Sequence, residues 1–248
     1  FASDANATDP DGDPLTYSKS GPDADKFTLN VATGELTFIS PPDYEANGSA
    51  AGNNAYAVTI TATDTGGLST SQAFTVTVTN VNEAPTGVSL SASSIAENAA
   101  GATVGTLTTT DPNSADTTFS YTLSGTDADS FEITGSTLKL RDTVSADYET
   151  KASYALTITT TDTGGLSTSQ DFSLAVTDVN EAPTGVSLSA TSIAENAAGA
   201  TVGTLSATDP DSGDTHSYSL GGTDASSFEL SGTTLKLKDT VSADYAAQ

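Results

Sequence analysis

A chain that repeats itself has few folds open to it, because each copy must be a unit that can be laid end to end. "APTGVSLSASSIAENAAGATVGTL" (Ala84 to Leu107) returns as "APTGVSLSATSIAENAAGATVGTL" (Ala182 to Leu205), and "TDTGGLSTSQ" occurs from Thr63 and again from Thr161. Both pairs lie 98 residues apart (84 to 182, 63 to 161). "FEITGSTLKLRDTVSADYE" (from Phe131) returns as "FELSGTTLKLKDTVSADYA" (from Phe228), and a looser version, "FTLNVATGELTFISPPDYE", begins at Phe27. About six additional residues in "EANGSAAGNNAY" of the first copy read as a longer loop. The register predicts three domains: 1–83, lacking its first strands; 84–181, complete; and 182–248, lacking its last strands. The expectation is a window on a longer array. The alternative is that neighbouring chains supply the missing strands.

Within each copy the period is two. In "YALTITTTD" Tyr154, Leu156 and Ile158 face one way and the threonines the other; Phe172, Leu174 and Val176 repeat this in "DFSLAVTDV". "YAVTITATD" and "AFTVTVTNV" match in the first copy. Such alternation is the mark of half-buried antiparallel strands, with Thr and Ser on the wet face. No segment carries a helical period. About seven short strands per copy, punctuated by Gly, Pro and Asp, predict an all-β fold of tandem immunoglobulin-like sandwiches. Apolar residues are only 35% of the chain, so each core is thin.

The charge balance narrows the partners. Asp and Glu number 32 against 7 Lys and Arg, a formal −25, which excludes nucleic acid and anionic membranes as binding surfaces. With no cysteine there is neither a disulfide framework nor a thiolate metal site. No apolar run is long enough to insert in a membrane and no signal peptide is visible in this segment.

The acids are bunched at strand ends and at the joints between copies. Glu97 stands in "AEN", Asp111 and Asn113 in "TDPNSAD", Asp147 and Glu149 in "ADYE", and Asp162 in "TDTGG". Asp178, Asn180 and Glu181 stand in "DVNEAP", whose counterpart "NVNEAP" carries Asn80, Asn82 and Glu83. Hard cations such as Ca2+ take six to eight oxygen ligands from such residues, and gathering carboxylates without a cation is costly. The proline after each joint restricts the residue before it to extended backbone. The bland reading of any one motif is an Asp-capped turn.

The ordered set resembles the cadherin repeat, here in a bacterial form. Cadherin repeats carry an early Glu, an Asp-x-Asp turn, an Asp-Arg-Glu-like motif, a late Asp and an Asp-x-Asn-Asp-Asn-x-Pro-type linker. This sequence offers Glu97, Asp209-Pro210-Asp211, Asp147-Tyr148-Glu149, Asp162 and Asp178-Val179-Asn180-Glu181-Ala182-Pro183. It departs from the pattern at Tyr148, Glu181 and Ala182.

The resemblance implies a cadherin-type Greek-key sandwich in each repeat and about three Ca2+ ions per complete joint. For the first joint it implies the ligands Asp43, Glu45, Asn80, Asn82, Glu83, Asp111, Asn113 and Asp162. For the second it implies Glu97, Asp147, Glu149, Asp178, Asn180, Glu181, Asp209 and Asp211. Asp9, Asp11, Asp64, Glu195 and Asp244 are candidates for outer joints; the third "ADY" motif ends in Ala246 where the others have Glu. Asn80 and Asn113 stand where the second joint has Asp178 and Asp211, which predicts weaker Ca2+ binding at the first joint.

No nucleophile–base pair, transition-metal cluster or phosphate loop is visible, so an enzyme is not expected. "TDTGG" follows a strand in more than one copy and reads as a hairpin turn, not a protease motif. His216, the single histidine, is expected on the wet face of a strand. The function implied is a Ca2+-stiffened extender of a large extracellular bacterial adhesin, biofilm component or surface filament. Its partners would be neighbouring repeats and, in filaments, copies of itself. The alternative is a cadherin-like carbohydrate-binding module acting on extracellular polysaccharide. The chain has no Trp, which counts against both that module and Trp-anchored strand exchange.

Overall fold

The computed structural model describes residues 2–245. Phe1 and residues 246–248, the outer ends of the first and third expected domains, lie outside the described residues, and so does the Ala246 departure. The chain is all β, apart from three single-turn 3-10 segments (Ala24–Lys26, Ala128–Ser130, Ala225–Ser227). Among the described residues no helix is long and apolar enough to cross a membrane.

Six strands form the first copy: β1 (Ala2–Asp4), β2 (Thr16–Ser20), β3 (Phe27–Leu29), β4 (Glu35–Phe38), β5 (Ala55–Thr63) and β6 (Ser69–Thr77). Their sheets run β1-β4-β3 and β2-β5-β6. The middle copy has eight: β7 (Gly87–Leu90), β8 (Ser94–Ala96), β9 (Thr103–Thr110), β10 (Ser120–Ser124), β11 (Phe131–Thr134), β12 (Thr137–Leu140), β13 (Ser153–Thr161) and β14 (Ser167–Thr177). Their sheets run β11-β12-β9-β7 and β10-β13-β14-β8. The count exceeds the expected seven because the opening strand is split: β7 joins one sheet, and β8 joins the other, parallel to β14. The last copy has β15 (Gly185–Leu188), β16 (Thr201–Thr208), β17 (Phe228–Ser231) and β18 (Thr234–Leu237) in one sheet, β15-β16-β18-β17.

By contact the chain divides into two compact units, and the division runs through the strands of the middle copy rather than at the joints. One unit comprises Phe1–Ser89, Leu107–Thr122 and Ile158–Gln170; the other comprises Leu90–Thr106, Leu123–Thr157 and Asp171–Gln248. Each joint, with the residues flanking it on both sides, therefore lies inside a single unit. In the first unit Tyr17, Phe27, Leu36, Tyr56, Val58, Ile60 and Ala62 form the core. There the edge of Tyr56 meets the rings of Phe27 and Phe38 across the two sheets, with centroids 6.2 and 5.1 Å apart. In the second unit Phe131 and Tyr154 meet in the same way at 5.2 Å. This edge-to-face contact is the arrangement that ring quadrupoles favour.

Three expectations need correction. Thr160 does not face out with the other threonines. It keeps the inward parity of Tyr154, Leu156 and Ile158 and is wholly buried, its hydroxyl satisfied by that of Thr109 at 2.8 Å. Phe74 keeps its parity but is 41% exposed, because no strand of segment 2–83 lies beyond β6 to cover it. His216 lies on no strand. It immediately precedes residues 217–221, the counterpart of β10, whose pairing partner β13 has no counterpart among the described residues that follow.

In the first two copies the acid before the 3-10 turn is used for a reason unrelated to cations. Asp23, 1% exposed, accepts the amides of Ala50 and Ala57 at 2.5 and 2.7 Å. Asp127 accepts the amide of Ala155 at 2.7 Å and the ammonium of Lys151. The Lys151 hydrogen bond, followed by the Ala155 amide, holds the Asp127 carboxyl below the usual carboxylate range. A group with a depressed pKa stabilises the fold above its unfolded pKa, near 3.9, and loses that contribution as pH falls through the folded value. Asp127→Asn is expected to cost about 1 kcal/mol at neutral pH: the remaining oxygen can still accept the Ala155 amide, and what is lost is the charge on that bond and the pairing with the half-exposed Lys151. Urea unfolding at a series of pH values should show the cost vanishing below about pH 4; an equal cost at all pH values would contradict it.

Candidate metal centres at the two joints

The second joint is organised by Glu97. Parallel pairing of β8 with β14 (Ile95 opposite Val176, Ala96 opposite Thr177) delivers Glu97 to the end of β14, where the linker begins. Its side chain is buried, 4% exposed, and both oxygens are used: Oε1 accepts the amide of Val179 at 2.7 Å and Oε2 the amide of Tyr148 at 2.6 Å. One carboxylate thus ties the linker to the Asp-Tyr-Glu turn.

Around it the carboxylates form three overlapping groups, each with ligand oxygens within 4.8 Å of one another: Glu97, Glu149 and Asp178; Glu149, Glu181 and Asp211; and Asp209, Asp211 and Asp214. The shared members, Glu149 and Asp211, make them a connected series from the base of one copy through the linker to the turn of the next. The crowding has an electrostatic signature. Desolvation first, and then the Asp211 carboxylate with Glu97 and Asp214 beyond it, pushes the Asp178 carboxyl up. Glu149 receives its own backbone amide, which lowers it, but desolvation and the charges of Glu97, Glu181 and Asp178 outweigh that and the net shift is upward. Two buried oxygens, Glu181 Oε2 and Asp209 Oδ2, have no hydrogen-bond partner, although the Asp209 side chain is only 5% exposed; His216 Nδ1 stands 3.8 Å from it. Orphaned buried oxygens next to like charges are costly. The donors are all oxygens, the set that fits a hard divalent cation such as Ca2+.

The first joint is built differently. Asp111, Asp116 and Asp162 form one group, in which Asp111 Oδ2 and Asp116 Oδ2 are buried without hydrogen-bond partners. Asp162 closes the β13–β14 hairpin by accepting the amide of Leu166 at 2.9 Å, and its second oxygen accepts the Asn82 amide of the linker at 2.9 Å. Desolvation raises its pKa, but these hydrogen bonds, Asn82 first, outweigh it and the net shift is downward. Gly164 leaves room for that contact: a Cβ there would sit 2.5 Å from Asn82 Nδ2. The rest of the joint converges on Asn113, 3% exposed. Its Oδ1 accepts the amide of Glu83 at 2.7 Å. Its Nδ2 donates toward Glu83 Oε2 (2.7 Å), Glu45 Oε1 (3.2 Å), Asn80 Oδ1 (3.2 Å) and the Val81 carbonyl (3.3 Å).

Most of the sequence-derived ligands are therefore gathered by the fold. Asp43 and Asp147 are placed otherwise: each caps a local turn, accepting the amides of Glu45 and Ala46, and of Thr150. The Asn180 amide donates to the Glu181 carbonyl. Of the outer candidates, Asp9 caps its own turn by accepting the amides of Asp11 and Asp13, Asp64 accepts that of Leu68, and Glu195 accepts that of Tyr245 as Glu97 accepts that of Tyr148. None of the outer five, Asp244 included, joins a three-carboxylate group among the described residues. Three residues were missed. Asp116 and Asp214 recur 98 residues apart and could have been found by that recurrence. Asn98 holds a left-handed backbone (φ 65°) and donates its amide to Glu181 Oε1; the sequence offers only the Glu-Asn pair as its signal.

Comparison with known proteins bears on this arrangement. Residues 2–79 and 91–177 match the family model of the cadherin domain. A 39-residue stretch is 54% identical to mouse (Mus musculus) cadherin-related family member 2, covering 16% of this chain and 3% of that protein. Human CDH23 EC21-23 superposes with a TM-score of 0.65 at 22% identity, over 94% of this chain and 81% of that one. Protocadherin gamma B2 extracellular domains 3–6 give 0.63 at 21% identity, over 93% and 58%. Human protocadherin-24 EC1-2 gives 0.51 at 28% identity, over 68% and 85%. The chain thus spans a small fraction of the curated relative and just over half of the protocadherin gamma B2 fragment.

Proposed function

The chain belongs to the cadherin domain family, and from that premise we propose that it is a Ca2+-stiffened spacer within an extracellular adhesion protein. Cadherin domains are structural adhesion modules, not enzymes. The observation that carries the reading is the connected series of carboxylates at the second joint, which links residues on both sides of the linker and includes two buried oxygens, Glu181 Oε2 and Asp209 Oδ2, that have no hydrogen-bond partner. In this reading the domains are 1–83, 84–181 and 182–248. Glu97, Glu149, Asp178, Glu181, Asp209, Asp211 and Asp214 hold ions at the second joint; Asp111, Asp116 and Asp162, with Glu45 and Glu83 nearby, serve the first. The ion supplies the positive charge that lets these carboxylates stay together. The chain's own residues supply direction: Glu97 fixes the linker's exit, and Pro85 and Pro183 keep it extended. At about 100 times its dissociation constant each independent site adds about 2.7 kcal/mol to the bound form. The near-identity of the copies suits a module repeated for length, as in a large bacterial surface adhesin or filament.

Small-angle scattering of the chain in EDTA and then in excess CaCl2 tests the reading. Ca2+ should increase the maximum dimension and reduce interdomain flexibility. Identical profiles would overturn the stiffening, leave the acids as a solvated surface, and direct attention to ligand binding by the individual domains.

A further inference from the structure

The two joints differ at the residue that receives the linker glutamate's amide, and the difference is chemical. In the second joint Asp211 Oδ2 accepts the Glu181 amide at 2.6 Å, and an oxygen of its carboxylate lies within 4.8 Å of oxygens of Glu149 and Glu181. In the first joint Asn113 makes the equivalent contact, from the Glu83 amide to Oδ1 at 2.7 Å. Only the oxygen of an amide can accept that bond, so the orientation of the side chain is fixed and its NH2 must point at Glu45, Glu83, Asn80 and the Val81 carbonyl. An amide nitrogen donates two hydrogens and offers no lone pair to a metal. The place where the second joint gathers oxygens is therefore filled, in the first, by a donor.

We infer that the Asn113 amide takes the place of one divalent cation in the first joint, at the position that Asp211 shares with Glu149 and Glu181 in the second, so that the first joint stays closed on the following repeat without that ion. The inference rests on the calcium reading above for its ion count. Three parts of the joint support it. Asn113 is buried and its contacts join three segments: the base of the first copy at Glu45, the linker at Asn80, Val81 and Glu83, and the turn of the next copy. Asn80, standing where the second joint has Asp178, presents a neutral oxygen to the amide, so a second negative charge that a cation would have to balance is also gone. The remaining all-carboxylate group, Asp111 with Asp116 and Asp162, contains none of the amide's partners and keeps its two orphaned oxygens for an ion. One joint is thus an amide latch with reduced demand for calcium, and the other places a carboxylate where the latch would be.

Counting bound Ca2+ per chain by native mass spectrometry, on the wild type, Asn113→Asp and Asp211→Asn, gives the test. Asn113→Asp should gain one ion and Asp211→Asn should lose one. Hydrogen exchange in EDTA gives a second readout: the Glu83 amide should exchange roughly tenfold more slowly than the Glu181 amide in the wild type, and at a similar rate in Asn113→Asp. Ca2+ on the wild type with an unchanged count in Asn113→Asp would overturn the replacement alone. No Ca2+ on any of the three proteins would overturn the calcium reading and the ion count together. Equal exchange of the two amides in EDTA would overturn the latch.

Discussion

Glu97→Ala is expected to destabilise the middle repeat by about 3 kcal/mol in the presence of Ca2+, and by less in EDTA. Glu97 is a buried carboxylate whose two oxygens satisfy two backbone amides, Val179 and Tyr148. Truncation orphans both, and each orphaned donor costs about 1–3 kcal/mol. Its side chain also holds the start of the linker to the Asp-Tyr-Glu turn, so the loss reaches Glu149 and Asp178, which share an oxygen cluster with it. The two conditions differ because the Glu97 charge acts in opposite directions. Without a cation it contributes to the upward shifts of Asp178 and Glu149, so removing it relieves repulsion and offsets part of the cost. In the proposed calcium reading it is a ligand, and its removal forfeits binding energy as well. Urea unfolding of wild type and variant in both media gives the four free energies. Glu97→Gln, which keeps one acceptor but sets an NH2 against an amide that needs an oxygen, should lie between them. A variant equal to wild type in both media would show that the linker is held by other contacts.

What the sequence revealed and what it hid follow from the length scale of each interaction. Strand parity is local, so the inward series of β5, β13 and β14 could be read directly, as could the turns that Asp and Gly impose. That Glu97, Glu149, Asp178, Glu181, Asp209 and Asp211 gather at the second joint was also legible, because their motifs recur in a fixed order along the chain. Two things were not. Asp43 and Asp147 match a motif by spacing, yet the same spacing caps a turn, and backbone amides nearby take one oxygen of each. Asn113 counted as a slightly weaker ligand when only its side-chain oxygen was considered; its role depends on which end of the amide the Glu83 backbone captures, a contact 30 residues distant that no pattern announces. Thr160 shows the same limit in the core. Its parity said inward and its hydroxyl said outward, and the decision fell to a partner, Thr109, from another strand.

Phe131→Ala is expected to cost about 3–5 kcal/mol, whereas Phe228→Ala, the same substitution at the same place in the repeat, should cost about 1 kcal/mol. The two residues open near-identical segments, "FEITGSTLKL" and "FELSGTTLKL", and pair identically, Phe131 with Leu140 and Phe228 with Leu237. Phe131 is wholly buried and meets the edge of Tyr154 from the facing sheet. Phe228 is half buried, and Val186 on the neighbouring β15 is 66% exposed where its counterpart Val88 is 3% exposed. The described residues after Gly185 supply one sheet of the sandwich and no strand equivalent to β13 or β14. Truncating Phe131 therefore leaves a cavity between two sheets, while truncating Phe228 removes contacts from one side of a ring that water already reaches. Parity assigns a side chain to a face; what that burial is worth depends on a second layer being present to cover it. Denaturant unfolding of both variants measures the difference, and equal costs would mean that the inner face of the last sheet is covered in solution by something other than the strands described here.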